Sequence, residues 1–166
     1  NRDAFSLSRV DHALVFRALL DAGDGTPPRE YQSSIAPLAI TANQLRKNAT
    51  ILGKLGSSNY DLHVRDVTAA NVAAVATNAH VKNITVTDTS AAIASALTTL
   101  ASQSKVTAIT QKGEISPLTI TASELVSNLD GLNKITGGYT VAVSGATATE
   151  AVSYASNAKV KSVAII

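Results

Sequence analysis

The sequence predicts an α/β fold: a repeat, solenoid-like stack of short strand–helix units behind an N-terminal helical cap. The first observation behind this is internal repetition. Pro37-Leu-Ala-Ile-Thr-Ala-Asn-Gln-Leu45 returns as Pro117-Leu-Thr-Ile-Thr-Ala-Ser-Glu-Leu125, and with one gap near Asn59 the match runs on through Asn48/Asn128, Leu52/Leu132, Lys54/Lys134, Tyr60/Tyr139 and Val64/Val143. It closes on Asn78-Ala-His-Val-Lys82 against Asn157-Ala-Lys-Val-Lys161. Repetition of this kind marks arrays, in which each unit buries its apolar face on the next. The second observation is an alternation of β-branched runs with Ala-rich stretches of helical spacing. The third is composition: 45% hydrophobic but only 4% aromatic, without Cys, Met or Trp, which leaves small and β-branched side chains to fill thin layers.

Residues 1–36 stand outside the repeat. Phe5, Leu7, Val10, Leu14 and Leu19 predict a helix from about Ser6 to Ala22, stopped by the Gly- and Pro-rich Asp21-Ala-Gly-Asp-Gly-Thr-Pro-Pro28. This segment is expected to cap the array or to end a preceding domain, with a first repeat copy at 37–116 and a second, truncated copy at 117–166.

Seven short β-branched runs read as strands, most of them with period-two alternation: 38–41, 60–64, 83–87, 106–110, 118–121, 139–143 and 162–166. Between them, one helix face is drawn by Leu45, Ala49, Leu52, Leu55; by Val72, Val75, Ala76, Ala79; by Ile93, Leu97, Leu100; and by Leu125, Leu129, Leu132, Ile135. Thr41-Ala-Asn-Gln44, Thr121-Ala-Ser-Glu124 and Thr147-Ala-Thr-Glu150 read as capping boxes, and Thr68 and Ser90 stand at similar positions after Asp66 and Asp88. The stretch 106–121 holds two strand runs with no helix between them, so a hairpin or paired edge strands is expected there.

Composition also excludes function classes. Without Cys there are no disulfides or thiolate metal sites. The net charge of +2 comes from scattered single residues, which gives no nucleic-acid footprint. No apolar run reaches bilayer-spanning length. The chain begins without Met and breaks off in a strand-like run, so it is expected to be a segment of something longer.

No set of residues proposes a catalytic, cofactor or metal site. His12, His63 and His80 lie far apart, and the second copy puts Ala142 and Lys159 at the places of His63 and His80. Asp21–Gly25 lacks the alternating oxygen ligands of a calcium loop. Asp66 and Asp88 give way to Gly145 in the next copy, which favours capping over ion binding. Gly56 and Gly137-Gly138 follow helices, so they read as C-cap turns and not phosphate loops. Asn48-Ala-Thr50 and Asn83-Ile-Thr85 match the glycosylation sequon but fall in a helix and a strand. Tyr60 and Tyr139, one aromatic per copy at matched positions, are the candidate ligand-surface residues.

Val81-Lys-Asn-Ile-Thr-Val-Thr-Asp-Thr89, Pro117–Leu125 and Asn78-Ala-His-Val81 resemble the strand–helix repeats of large proteobacterial secreted and surface proteins, of type I secreted, adhesin-like or S-layer-like kind. The resemblance covers 37–166. It implies a non-catalytic extracellular module acting as stalk, adhesive or surface-assembly segment, with neighbouring repeats of the parent chain as partners. Two alternatives stand beside it: a module binding carbohydrate or another cell-surface ligand, or a non-catalytic piece of a larger secreted enzyme or toxin.

Overall fold

The computed structural model describes residues 37–54 and 60–166. The helical cap expected over 1–36 lies outside the described residues, as do Leu55 and Gly56. Strands and helices alternate: β1 (Leu38–Thr41), α1 (Ala42–Lys47), α2 (Ala49–Lys54), β2 (Leu62–Val67), a 3-10 turn (Ala69–Asn71), α3 (Val72–Ala76), β3 (Val81–Asp88), α4 (Ser90–Ser95), α5 (Leu97–Ser102) and β4 (Val106–Gln111). Then come β5 (Leu118–Thr121), α6 (Ala122–Ser127), α7 (Leu129–Asn133), β6 (Ile135–Thr136), β7 (Val141–Ala146), α8 (Ala148–Ala155) and β8 (Val160–Ile165). Every strand pairing is parallel, as short β-α-β connections dictate.

The strands divide into two sheets, β1-β2-β3-β4-β6 and β5-β7-β8, instead of lying in a single line. The expected hairpin over 106–121 does not form, because β4 and β5 belong to different sheets. Ser90, at the start of α4, holds the crossing. Its buried hydroxyl accepts from Gln111 Nε2 at 2.8 Å and from the Ser116 backbone N–H at 3.2 Å. The place beside β4 is taken by β6, where Ile135 sits opposite Ile109. Ile135 is therefore a strand residue and not the end of a helix face, and Leu129, expected on that face, is 52% exposed. Gly137 and Gly138 follow β6 and turn the chain into β7; they are not a helix C-cap.

The corresponding segments fold alike. β1 pairs with β2 through Ile40↔Val64, and β5 pairs with β7 through Ile120↔Val143. Thr41, Thr121 and Thr147 each accept from the backbone N–H three residues on, and the Gln44, Glu124 and Glu150 side chains bond back. Thr68 makes no such bond, and the cap before Ser90 is Thr89, which accepts from Ala92 N–H. Three of the helices expected from the sequence are interrupted, at Asn48, Ala96 and Asn128, where the backbone leaves the helical region while i→i−4 bonds continue across the break; the fourth, expected over 72–79, forms only as the 3-10 turn and α3. One hydrophobic cluster runs through both sheets. In it Ile40, Val64, Ile84, Ile109, Ile120 and Val143 of the strands meet Leu52, Leu97, Leu125 and Leu132 of the helices.

Candidate functional site

Tyr60 and Tyr139 precede β2 and β7, and both rings are engaged by their own chain. Tyr60 stacks on His80 with centroids 3.9 Å apart and planes 8° from parallel. Its hydroxyl donates to the Leu52 carbonyl at 3.2 Å, and His80 Nδ1 donates to the Tyr60 carbonyl at 3.0 Å. In the second copy Lys159 replaces His80, and its Nζ stands 4.2 Å from the centre of the Tyr139 ring, a cation–π contact. The two replacements are thus one device: an aromatic covered by the residue that follows Asn78-Ala or Asn157-Ala. In both copies the Asn side chain accepts the backbone N–H two residues on, at 2.9 and 3.0 Å, which fixes the turn.

Beside Tyr60 lies an open cleft of about 330 Å³ lined by Leu45, Arg46, Ala49, Leu52, Gly53, Tyr60, Asn78 and His80. Its polar rim is Arg46, whose guanidinium bonds Asn43 at 3.1 Å, and Asn78. The cleft offers a shallow apolar seat and one cation.

A second surface is the face of the sheets turned away from the helices. His63 Nε2 lies 2.8 Å from Thr85 Oγ1, and Thr87, Thr110 and Thr136 stand in register across three neighbouring strands. Thr110 and Thr136 bond each other at 3.1 Å. A parallel sheet is ordinarily covered on both faces. Here the second face carries threonines over β3, β4, β5 and β6, with His63 and the small Ala39, Ala108 and Ala142 among them, and sequence periodicity could have found it as the less apolar half of each strand.

Polar groups that look chemical in sequence work as joints between units. Asp88 Oδ2 accepts the Ala69 N–H at 2.9 Å, capping the 3-10 turn of the preceding unit where Thr68 does not, and its Oδ1 accepts the Thr89 N–H. Asp66 is exposed at a β-bulge with φ of 56°, and Gly145 occupies the matching bulge of β7 with φ of 69°. That pair reflects backbone conformation and not shared capping. Lys105 Nζ donates to the Ala76 and Asn78 carbonyls at 2.6 and 3.0 Å, and Lys134 Nζ to the Gln103 carbonyl at 3.1 Å, each ammonium serving the negative end of the helix in the unit before it. Asn128, buried, reaches Thr98 at 3.2 Å.

The shifted titrating groups are Glu124 and Glu150, both held below the usual carboxylate range. The cause in each is the backbone N–H of Thr121 or Thr147, followed by that residue's hydroxyl. Among the described residues no group of three His, Asp or Glu converges as a metal site, and no helix is long and apolar enough to cross a membrane. No known protein family matches the chain, and no curated protein or solved structure matches it either.

Proposed function

We propose that the chain is a non-catalytic extracellular repeat module, a solenoid-like stack that serves as stalk, adhesive or surface-assembly segment of a larger bacterial secreted protein. The observation that carries this reading is that polar side chains of several units reach into the unit before them. Asp88 caps the turn at Ala69, Lys105 caps α3, Lys134 caps α5, and Asn128 bonds Thr98. Side chains committed to joining neighbours suit a spacer, whose work is to hold an axis straight. The extracellular placement rests on the resemblance of 37–166 to secreted and surface repeats.

The test is small-angle scattering on tandem concatemers of residues 37–166. A maximum dimension that grows linearly with copy number supports the stack. A radius that grows as for independent beads on a string overturns it.

A second reading, a carbohydrate- or cell-surface-binding module using Tyr60 and Tyr139, is favoured by the cleft beside Tyr60. His80 and Lys159 already cover one ring face in each copy, which weighs against sugar stacking there. A glycan-array signal abolished by Y60A/Y139A would install that reading in place of the first.

A further inference from the structure

We propose that the residue immediately before each of β3, β4, β6 and β8 selects the unit on which that strand is laid, by fitting one of two sockets in it. The inference rests on the stacked-module reading above and names what a neighbouring unit must present.

His80, Lys105, Lys134 and Lys159 hold this one position, directly ahead of Val81, Val106, Ile135 and Val160. Each reaches into the unit of the strand beside its own. In the β3–β4 and β4–β6 pairs the socket is a helix end. Lys105 Nζ donates to the Ala76 and Asn78 carbonyls at 2.6 and 3.0 Å. Lys134 Nζ donates to the Gln103 carbonyl at 3.1 Å, with the Leu100 and Ala101 carbonyls at 3.4 and 3.5 Å. In the β2–β3 and β7–β8 pairs the socket is a tyrosine ring, with His80 stacked on Tyr60 and Lys159 over Tyr139. The Tyr60 hydroxyl also donates to the Leu52 carbonyl in α2, so the helix end of that unit is served from within.

The β5–β7 pair is the internal control. β5 is entered through the non-helical stretch 112–117, which presents neither a helix end nor a tyrosine, and β7 beside it is led by Thr140. Socket and ligand are missing together.

The two sockets differ in what they admit. A cage of carbonyls calls for several N–H groups on one atom, which an ammonium has and a ring nitrogen has not. A ring face takes either a cation above it or a flat ring stacked on it, and the two copies show one of each. A tyrosine-led unit therefore accepts a histidine- or lysine-led successor, and a unit with an unserved helix end accepts a lysine-led one. Such selection is a difference between matched and mismatched pairs.

Urea denaturation of the full chain tests this. K105H and K134H are each expected to lower the folded-to-unfolded ratio by about tenfold or more, because a hydrogen bond from a charged group is lost. H80K and K159H are expected to stay within about threefold of wild type. The ring has to be the reason: K159M should cost about two- to fivefold with Tyr139 present and nothing in Y139L, a coupling that a double-mutant cycle isolates. Should K105H fail to fold, K105R, whose guanidinium carries several donors, is expected to restore the fold. Histidine tolerated at 105 and 134, lysine rejected at 80, zero coupling between 139 and 159, or K105R as unfolded as K105H each overturns the proposal. Concatemer scattering reads the axis and not these pairs, so linear growth with zero coupling removes only the selection rule and leaves the stacked-module reading in place.

Discussion

Glycine positions separate backbone effects from packing effects within this one chain. Gly145 needs a left-handed conformation at the β7 bulge with open space around its Cβ direction, so Gly145→Ala should lower stability by about 1 kcal/mol through backbone strain alone. Gly53 sits in helix α2 with no neighbour near its Cβ direction among the described residues, and Gly53→Ala should raise stability by about 0.5–1 kcal/mol. Gly131 differs again: a Cβ there would meet the Ala101 Cβ at 3.0 Å where α7 lies on α5, so Gly131→Ala should cost about 1–3 kcal/mol by overpacking. Urea denaturation of the three variants checks all three signs. The first copy places Ile51, 56% exposed, at the position of Gly131, so the two copies differ at a unit-to-unit contact.

Helices are the elements on which charge acts. Glu124 and Glu150 have folded pKa values depressed by the capping N–H groups of Thr121 and Thr147, so each contributes stability above its unfolded pKa and loses it as pH falls through the lower folded one. Thermal melts should therefore show a loss between neutral and acid pH that shrinks in the double variant E124Q/E150Q. A pH profile unchanged by the double substitution would remove the linkage. At the other helix end, Lys134→Met keeps much of the apolar stem but withdraws the ammonium from the α5 carbonyls; about 1–3 kcal/mol should be lost in urea denaturation. The capping boxes were legible because their chemistry is local, three residues apart. The lysine caps were not, since Lys134 and Gln103 meet only through packing.

At the scale of the whole molecule, one hydrophobic cluster joins the strands of both sheets to the helices among the described residues. Removing residues 139–166 takes away β7, α8 and β8 and uncovers Leu118, Ile120 and Leu125, now buried against them. At about 1.5–3 kcal/mol for each fully uncovered side chain, the loss should be several kcal/mol, read as a lower melting temperature. An unchanged melt would mean that 37–138 is self-sufficient and that the units do not lean on one another. Along β3, β4 and β6 the far side of the sheet carries Thr87, Thr110 and Thr136, because period two alternates these hydroxyl side chains with the buried ones.

By itself the sequence determined what depends on near neighbours: strands and helices from hydrophobic period, helix starts from the Thr-x-x-Glu and Thr-x-x-Gln spacings, and likeness of the two copies from residue identity. Tertiary structure decided what depends on distant ones. Ile135 has helical spacing from Leu132, yet it joins a sheet because β4 offers an edge at Ile109. Strands 106–111 and 118–121 look like hairpin partners, yet Ser90 holds Gln111 and Ser116 so that β5 starts a second sheet. Thr68 looks like a cap, yet Asp88 performs the task from the next strand. The physical reason is common to all three. A hydrogen-bonding group or an apolar edge is satisfied by whichever partner packing brings within reach, and local pattern carries no record of residues 20 or more positions away.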